Sequence, residues 1–220
     1  MANRAEQKNK RRTRAYGEES RELILDAARR LFAARGLHDA SMADVAAEAG
    51  VSRATVFNQF GSKRLLVDAI AARTLATYRD LLAAALKDEA APTADLVRRL
   101  YQQMADGLET NRAFYREAFP EIRKIALGLD ADGDAPVVRR EALAALEAIF
   151  ARGQARGEIV AEPSAAELGA AFDSLLSGAV TQWIHAPPGE PLAPSLRAMA
   201  EVLLGGASAT TRPPLGDESH

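Results

Sequence analysis

Cysteine is absent from the 220 residues. Its absence removes disulfides, thiolate nucleophiles and Cys-ligated zinc, and it suits a reducing compartment, so a cytoplasmic protein is expected. Histidine occurs three times, at His38, His185 and His220. These are far apart in sequence and show no His–carboxylate spacing, so neither a metal site nor a cofactor is expected. No stretch approaches the roughly 18 consecutive apolar residues that mark a membrane span. The basic N-terminal stretch is not followed by an apolar segment, so no secretory signal is expected. Nucleophile motifs, phosphate loops and dinucleotide fingerprints are missing, and an enzyme is not expected. No strand-length alternation of apolar and polar residues occurs, nor any internal repeat.

What remains is an ordinary balance, 48% hydrophobic and 26% charged, with enough length for a real core. The net charge of −2 hides an asymmetry. Residues 1–64 carry 13 Lys/Arg against 8 Asp/Glu, and the remainder carries 15 against 22. A basic head on an acidic body points to a nucleic-acid partner for the head.

Along the chain the pattern is all-α, with about nine helices. Residues 1–19 hold Arg4, Lys8, Lys10, Arg11, Arg12 and Arg14 without apolar periodicity, and read as a flexible basic arm able to reach DNA. Leu23, Ile24, Ala27, Ala28, Leu31 and Phe32 then recur at helical spacing, with Ser20 placed to cap this helix and Gly36 to end it. Two short helices follow, capped by Ser41 and Ser52 and stopped by Gly50 and Gly61–Ser62. A longer helix opens near Lys63 and runs to about Lys87. Further helices are predicted near 93–109, 111–127 (interrupted by Pro120), 135–155, 164–186 and 192–205. The expected organisation is an arm over 1–19, a DNA-binding head over 20–64, a helical body over 65–206 and a flexible tail over 207–220. Gly128–Asp134 reads as a loop.

The two short helices carry the chemistry. A helix-turn-helix needs a first helix that packs through small residues, a tight glycine turn, and a second helix presenting polar side chains to base edges. Ala46, Ala47 and Ala49 supply the small surface, and Gly50–Val51–Ser52 the turn. Arg53, Thr55, Asn58 and Gln59 supply side chains able to pair with base edges in the major groove. Ser41 and Ser52 stand at helix N-termini, where backbone N–H groups and the helix dipole favour a phosphate. Lys63 can meet the DNA backbone as a point charge.

On these residues the segment Leu25–Lys63 resembles the N-terminal DNA-binding domain of the TetR family of transcriptional regulators. The elements that carry the resemblance are Ala27, Leu31, Phe32, Gly36, Ser41, Val45, Ala46, Ala49, Gly50, Val51, Ser52, Thr55, Phe57, Phe60 and Lys63. The resemblance implies that Thr55, Phe57 and Lys63 fall where family members contact DNA. Phe57 stands where the family usually has tyrosine, and without a hydroxyl it is expected to pack into the core. Ala54 replaces a frequent glycine.

For the body, the resemblance implies a small-molecule effector and a homodimer on a palindromic operator in double-stranded DNA. Tyr101, Met104, Phe114, Tyr115, Phe119, Phe150 and Phe172 are the candidate pocket residues, with plain core packing as the other reading. Arg112, Arg116 and Arg123 could pair an anionic ligand or neighbouring acids. The late helices carry a small-residue surface. Gly169, Asp173, Leu176, Val180 and Trp183 on one, with Met199 and Leu203 on the other, are the candidate dimer interface, against an intramolecular seam. The function expected is a ligand-released repressor; control by a protein partner is the alternative.

Overall fold

The computed structural model describes residues 2–127, 129 and 134–207, with residues 2–15 described for their backbone alone. Of the tail expected over 207–220, Ala207 is instead the last residue of a helix and the rest lies outside the described residues, as do most of the loop expected over 128–134 and the basic side chains at 4–14. Among the described residues the fold is nine helices and no strand. They are α1 (Ala2–Arg35), α2 (Met42–Ala49), α3 (Arg53–Phe60), α4 (Lys63–Leu86), α5 (Thr93–Thr110), α6 (Arg112–Ala126), α7 (Ala135–Ala155), α8 (Ala165–His185) and α9 (Ala193–Ala207).

The stops follow the expected chemistry. Gly36, Gly50 and Gly61 each take positive φ at a helix end, where a side chain would be strained. Pro120 sits inside a continuous α6 and does not split it. Two expectations fail at the N-terminus. The backbone is helical from Ala2, so the segment expected as a flexible arm is the first half of α1. Ser20 lies inside that helix, buried, rather than capping it.

The chain divides into two compact units. Unit 1 comprises Met1–Arg73 and Ala113–Pro136, and unit 2 comprises Thr74–Arg112 and Val137–His220. Unit 1 thus takes in α6, which lies on the body's side of the division expected at residue 64. Its core is Ile24, Ala27, Ala28, Phe32, Val45, Val56, Phe60, Leu66 and Ile70, all nearly fully buried. Leu23, expected on the same stripe, points outward. Within unit 1, the Arg29 guanidinium lies 4.7 Å from the centre of the buried Phe114 ring. This joins α1 to α6 by a cation–π contact.

Unit 2 is built on α5 packed against α9 and α9 against α8. Leu96, Leu100, Leu146, Ile149, Phe150, Phe172 and Leu196 are its apolar interior. Arg112 closes one end. Its guanidinium donates to the carbonyls of Trp183 (2.9 Å), Ala186 (2.7 Å) and Glu190 (3.3 Å), and lies 4.8 Å over the Trp183 ring. The indole Nε1–H also donates to Glu190 O at 2.9 Å. Arg112 thereby serves the carbonyls at the α8 C-terminus, a structural role that neither of the two partners expected for it supplies.

Candidate nucleic-acid interface

The site begins at a capping box. Ser41 is extended, with φ −99° and ψ 162°. Its Oγ accepts from the Asp44 N–H at 3.2 Å, and its own N–H donates to Asp44 Oδ2 at 2.9 Å. The reciprocal pair satisfies two backbone donors that α2 would otherwise leave open. The Ser41 hydroxyl and N–H hold the Asp44 carboxyl below its ordinary range, helped by the Arg35 and Arg53 cations.

The turn into α3 is fixed by backbone geometry. Gly50 is left-handed at φ 67° and ψ 28°, and the Val51 N–H reaches Ala46 O at 3.0 Å. This is the six-to-one bond of a Schellman closure. Ser52 then caps α3, its Oγ accepting from the Thr55 N–H at 3.0 Å and lying 2.8 Å from Thr55 Oγ1. The Thr55 hydroxyl is therefore part of the cap.

Val56 and Phe60 anchor α3 inward, at 0% and 5% exposure. The outward face is Arg53, Ala54, Phe57 and Asn58, all exposed. Here the expectation for Phe57 is corrected, because its ring is 51% exposed and does not join the core. Positions 53, 54, 57 and 58 share one side of a helix with 3.6 residues per turn, and 56 and 60 lie beyond its Arg53 edge, turned toward the core.

Gln59 is also reassigned. Its side-chain amide donates to Gly17 O at 3.1 Å, and Arg21 donates to the Gln59 carbonyl at 3.4 Å while lying 4.5 Å over the Phe60 ring. The side chain faces α1, away from the exposed side of α3. Lys63 donates from Nζ to His38 O at 2.9 Å. That bond ties the start of α4 to the α1–α2 loop beside the capping serine.

The seven candidate pocket residues do not fall in one unit. Tyr101, Met104, Phe150 and Phe172 belong to unit 2, and Phe114, Tyr115 and Phe119 to unit 1. In unit 2, Tyr101 stacks on Phe172 with centroids 4.2 Å apart and donates its hydroxyl to Phe172 O at 3.1 Å. Tyr101, Phe150 and Phe172 are at most 1% exposed. In unit 1, Phe114 meets Tyr115 edge to face at 5.2 Å. A groove of about 400 Å³ lies between α5 and α9, but it is lined by Asp95, Arg98, Arg99, Gln102, Arg197, Ala200 and Glu201. None of the seven candidates is among these residues. Arg116 pairs with Glu117 at 3.2 Å, as exposed arginines commonly do.

Sequence reading missed a polar cluster in unit 2. The Tyr78 hydroxyl is buried with no hydrogen-bond partner among the described residues. Burial, then the nearby Asp173 carboxylate, hold its pKa well above the ordinary value. Arg139 donates to Asp173 at 2.8 Å. Tyr78 carried no signal beyond an apolar position on a helix.

The dimer candidates are mostly spent inside the chain. Gly169, Val180, Trp183 and Leu203 are already buried in the single chain, packed as an intramolecular seam would have them. A Cβ on Gly169 would lie 3.2 Å from Leu146 Cβ. Asp173 is held by Arg139, and Leu176 and Met199 are half-buried. The outward side of α8 is instead Ala170, Ser174, Gly178 and Gln182, and that of α9 is Ala198 and Val202. Val202 is 62% exposed, and a Cβ on Gly178 would meet nothing within 4 Å.

Among the described residues no cluster of three metal-binding side chains occurs, and no helix is long and apolar enough to cross a membrane. Residues 24–70 match the family model described as bacterial regulatory proteins, tetR family. The chain is 28% identical over 192 residues to the HTH-type transcriptional repressor BepR of Brucella suis, covering 81% of this chain and 87% of that protein. The fatty acid degradation regulator FadR of Bacillus halodurans shares the fold at TM-score 0.70 and 20% identity, covering 84% of this chain and 95% of that one. Thermus thermophilus FadR, a repressor solved with lauroyl-CoA, matches at TM-score 0.58 and 26% identity, over 84% of this chain and 94% of its own.

Proposed function

We propose that this chain, whose residues 24–70 match the tetR family model and which is similar along most of its length to a TetR-type repressor, works in the cytoplasm as a homodimeric TetR-family repressor released from a palindromic operator by a small molecule. The observation that carries the DNA-binding part is the outward face of α3. It presents Arg53, Phe57 and Asn58 while Val56 and Phe60 hold the helix down. Arg53 and Asn58 have the side chains that pair with guanine and adenine edges. Ser41, Ser52 and Lys63 sit around that face as backbone-positioning groups. In this reading residues 20–64 bind DNA, and residues 65–206 bind the effector and form the dimer.

The repressor direction is supported by BepR, itself a repressor. Response to a small molecule is supported by the Thermus thermophilus repressor solved with lauroyl-CoA. Helix α4 contributes residues to both units, 63–73 to one and 74–86 to the other. A ligand that prefers one arrangement of α4 would change DNA affinity by its differential binding, about 1–3 kcal/mol for such couplings. Dimerisation is assigned to the small exposed faces of α8 and α9. It should place the recognition helices roughly 34–36 Å apart for successive major grooves. The tight packing of Tyr101 on Phe172 favours the second reading, in which a protein partner replaces the ligand.

The test is selection of duplex DNA from randomised fragments, repeated with long-chain acyl-CoA and with aromatic small molecules. Enrichment of a palindrome that is lost on adding one class supports the proposal. A palindrome insensitive to every ligand shifts weight to the partner-protein reading, and no enrichment at all overturns it.

A further inference from the structure

Four side chains face outward on α3, and their order across the face is informative. Arg53 and Asn58 stand at the two edges, while Ala54 and Phe57, one turn apart, occupy the middle. The other polar side chains of the helix point elsewhere. Thr55 closes the cap on Ser52, and Gln59 is bonded to α1 at Gly17. The centre of the reading face is therefore a methyl group and a half-exposed phenyl ring, with nothing polar between them. A phenyl ring at 51% exposure on a helix whose other aromatic, Phe60, is buried is costly unless a partner covers it.

Duplex DNA offers one apolar group in the major groove, the C5-methyl of thymine, which alanine and phenylalanine can contact. We propose that Ala54 and Phe57 together seat a thymine methyl, so that Phe57 is a base-reading residue. Arg53 and Asn58 flank the methyl site, Arg53 toward a guanine and Asn58 toward an adenine. The operator half-site then requires a T·A pair at the position under the middle of α3. The inference rests on the DNA-binding reading above and deepens it. The absent hydroxyl of Phe57 is part of the argument, since a phenol could leave the groove to bond a phosphate whereas a phenyl ring has no polar partner to seek.

Deoxyuridine tests this directly, because it removes the methyl and leaves the pairing edge intact. The full-length protein is titrated by fluorescence anisotropy onto its selected operator, and onto duplexes in which each thymine in turn is replaced symmetrically by deoxyuridine. One position per half-site is expected to weaken binding about fourfold, the factor that burying a methyl-sized group supplies, and about fifteenfold for both half-sites. Phe57→Ala should bind thymine and deoxyuridine operators equally at that position. Asn58→Ala should bind more weakly yet keep the methyl dependence. Phe57 is outside the core, so circular dichroism and melting should match the parent protein.

Indifference of the parent protein to deoxyuridine at every position overturns the inference while leaving DNA binding intact. So does a methyl dependence that survives Phe57→Ala. Failure to enrich any duplex overturns the regulator reading, and this inference with it.

Discussion

Ser41 and Asp44 make a local device whose contribution can be isolated. Removing the cap acceptor in Ser41→Ala should destabilise the protein by about 1 kcal/mol, measured by urea unfolding. Asp44 adds a pH signature. Its folded pKa lies below the ordinary 3.8, so its stabilisation is complete above that value and is lost as pH falls through the lower folded value. The stability difference between the parent protein and Asp44→Asn should therefore be constant at neutral pH and narrow below about pH 4 in thermal melts. Lys63 belongs to the same scale. Although it bonds His38 O, its ammonium retains two further donors and stays part-exposed. Lys63→Ala should weaken DNA binding for all sequences alike and lower the salt slope by about one. An unchanged slope would leave Lys63 with its structural bond alone.

At the scale of helices, the caps, glycines and prolines in the sequence located eight of the nine elements within about two residues. Those residues act through short-range sterics and hydrogen bonds that tertiary context rarely overrides. The exception is α1. Nothing apolar recurs in residues 2–19, and a helix can extend over such a segment because propagation costs little once the buried turns at Ile24–Phe32 are formed. Faces were harder to read than boundaries. On α8 small apolar residues occur on every side, so sequence could not say which side met the core. The structure buries Val180 and Trp183 and leaves Gly178 outside. For α3 the spacing singled out 53, 55, 58 and 59 by residue type. The folded helix turns Gln59 inward and Phe57 outward because Gly17 and Arg21 of α1 claim position 59. The Arg112 clamp was invisible, since its acceptors lie more than 70 residues away. Arg112→Ala should cost about 2 kcal/mol, as loss of hydrogen bonds from a charged donor does. The single tryptophan, Trp183, should report it by a red-shifted emission.

At the scale of the molecule, the burial pattern separates folding from assembly. Val202→Asp adds a charge to an outward position of α9, so the protein should keep its melting temperature and sediment as a monomer. Trp183→Asp buries a charge at a 4%-exposed site and should unfold the chain before any change in oligomeric state can be read. A Val202→Asp protein that remains dimeric would move the interface off α9.

The bond from Gln59 to Gly17 has an evolutionary meaning. By committing Gln59 to α1 and Thr55 to the cap, α3 divides its positions between those that build it and those that, under the reading proposed above, address DNA. The side chains of Arg53, Ala54, Phe57 and Asn58 are all exposed, so mutation can explore them at little cost to folding. On that reading a lineage carrying this head would change operators by drift at four codons, and a library randomised at those four should consist largely of folded proteins.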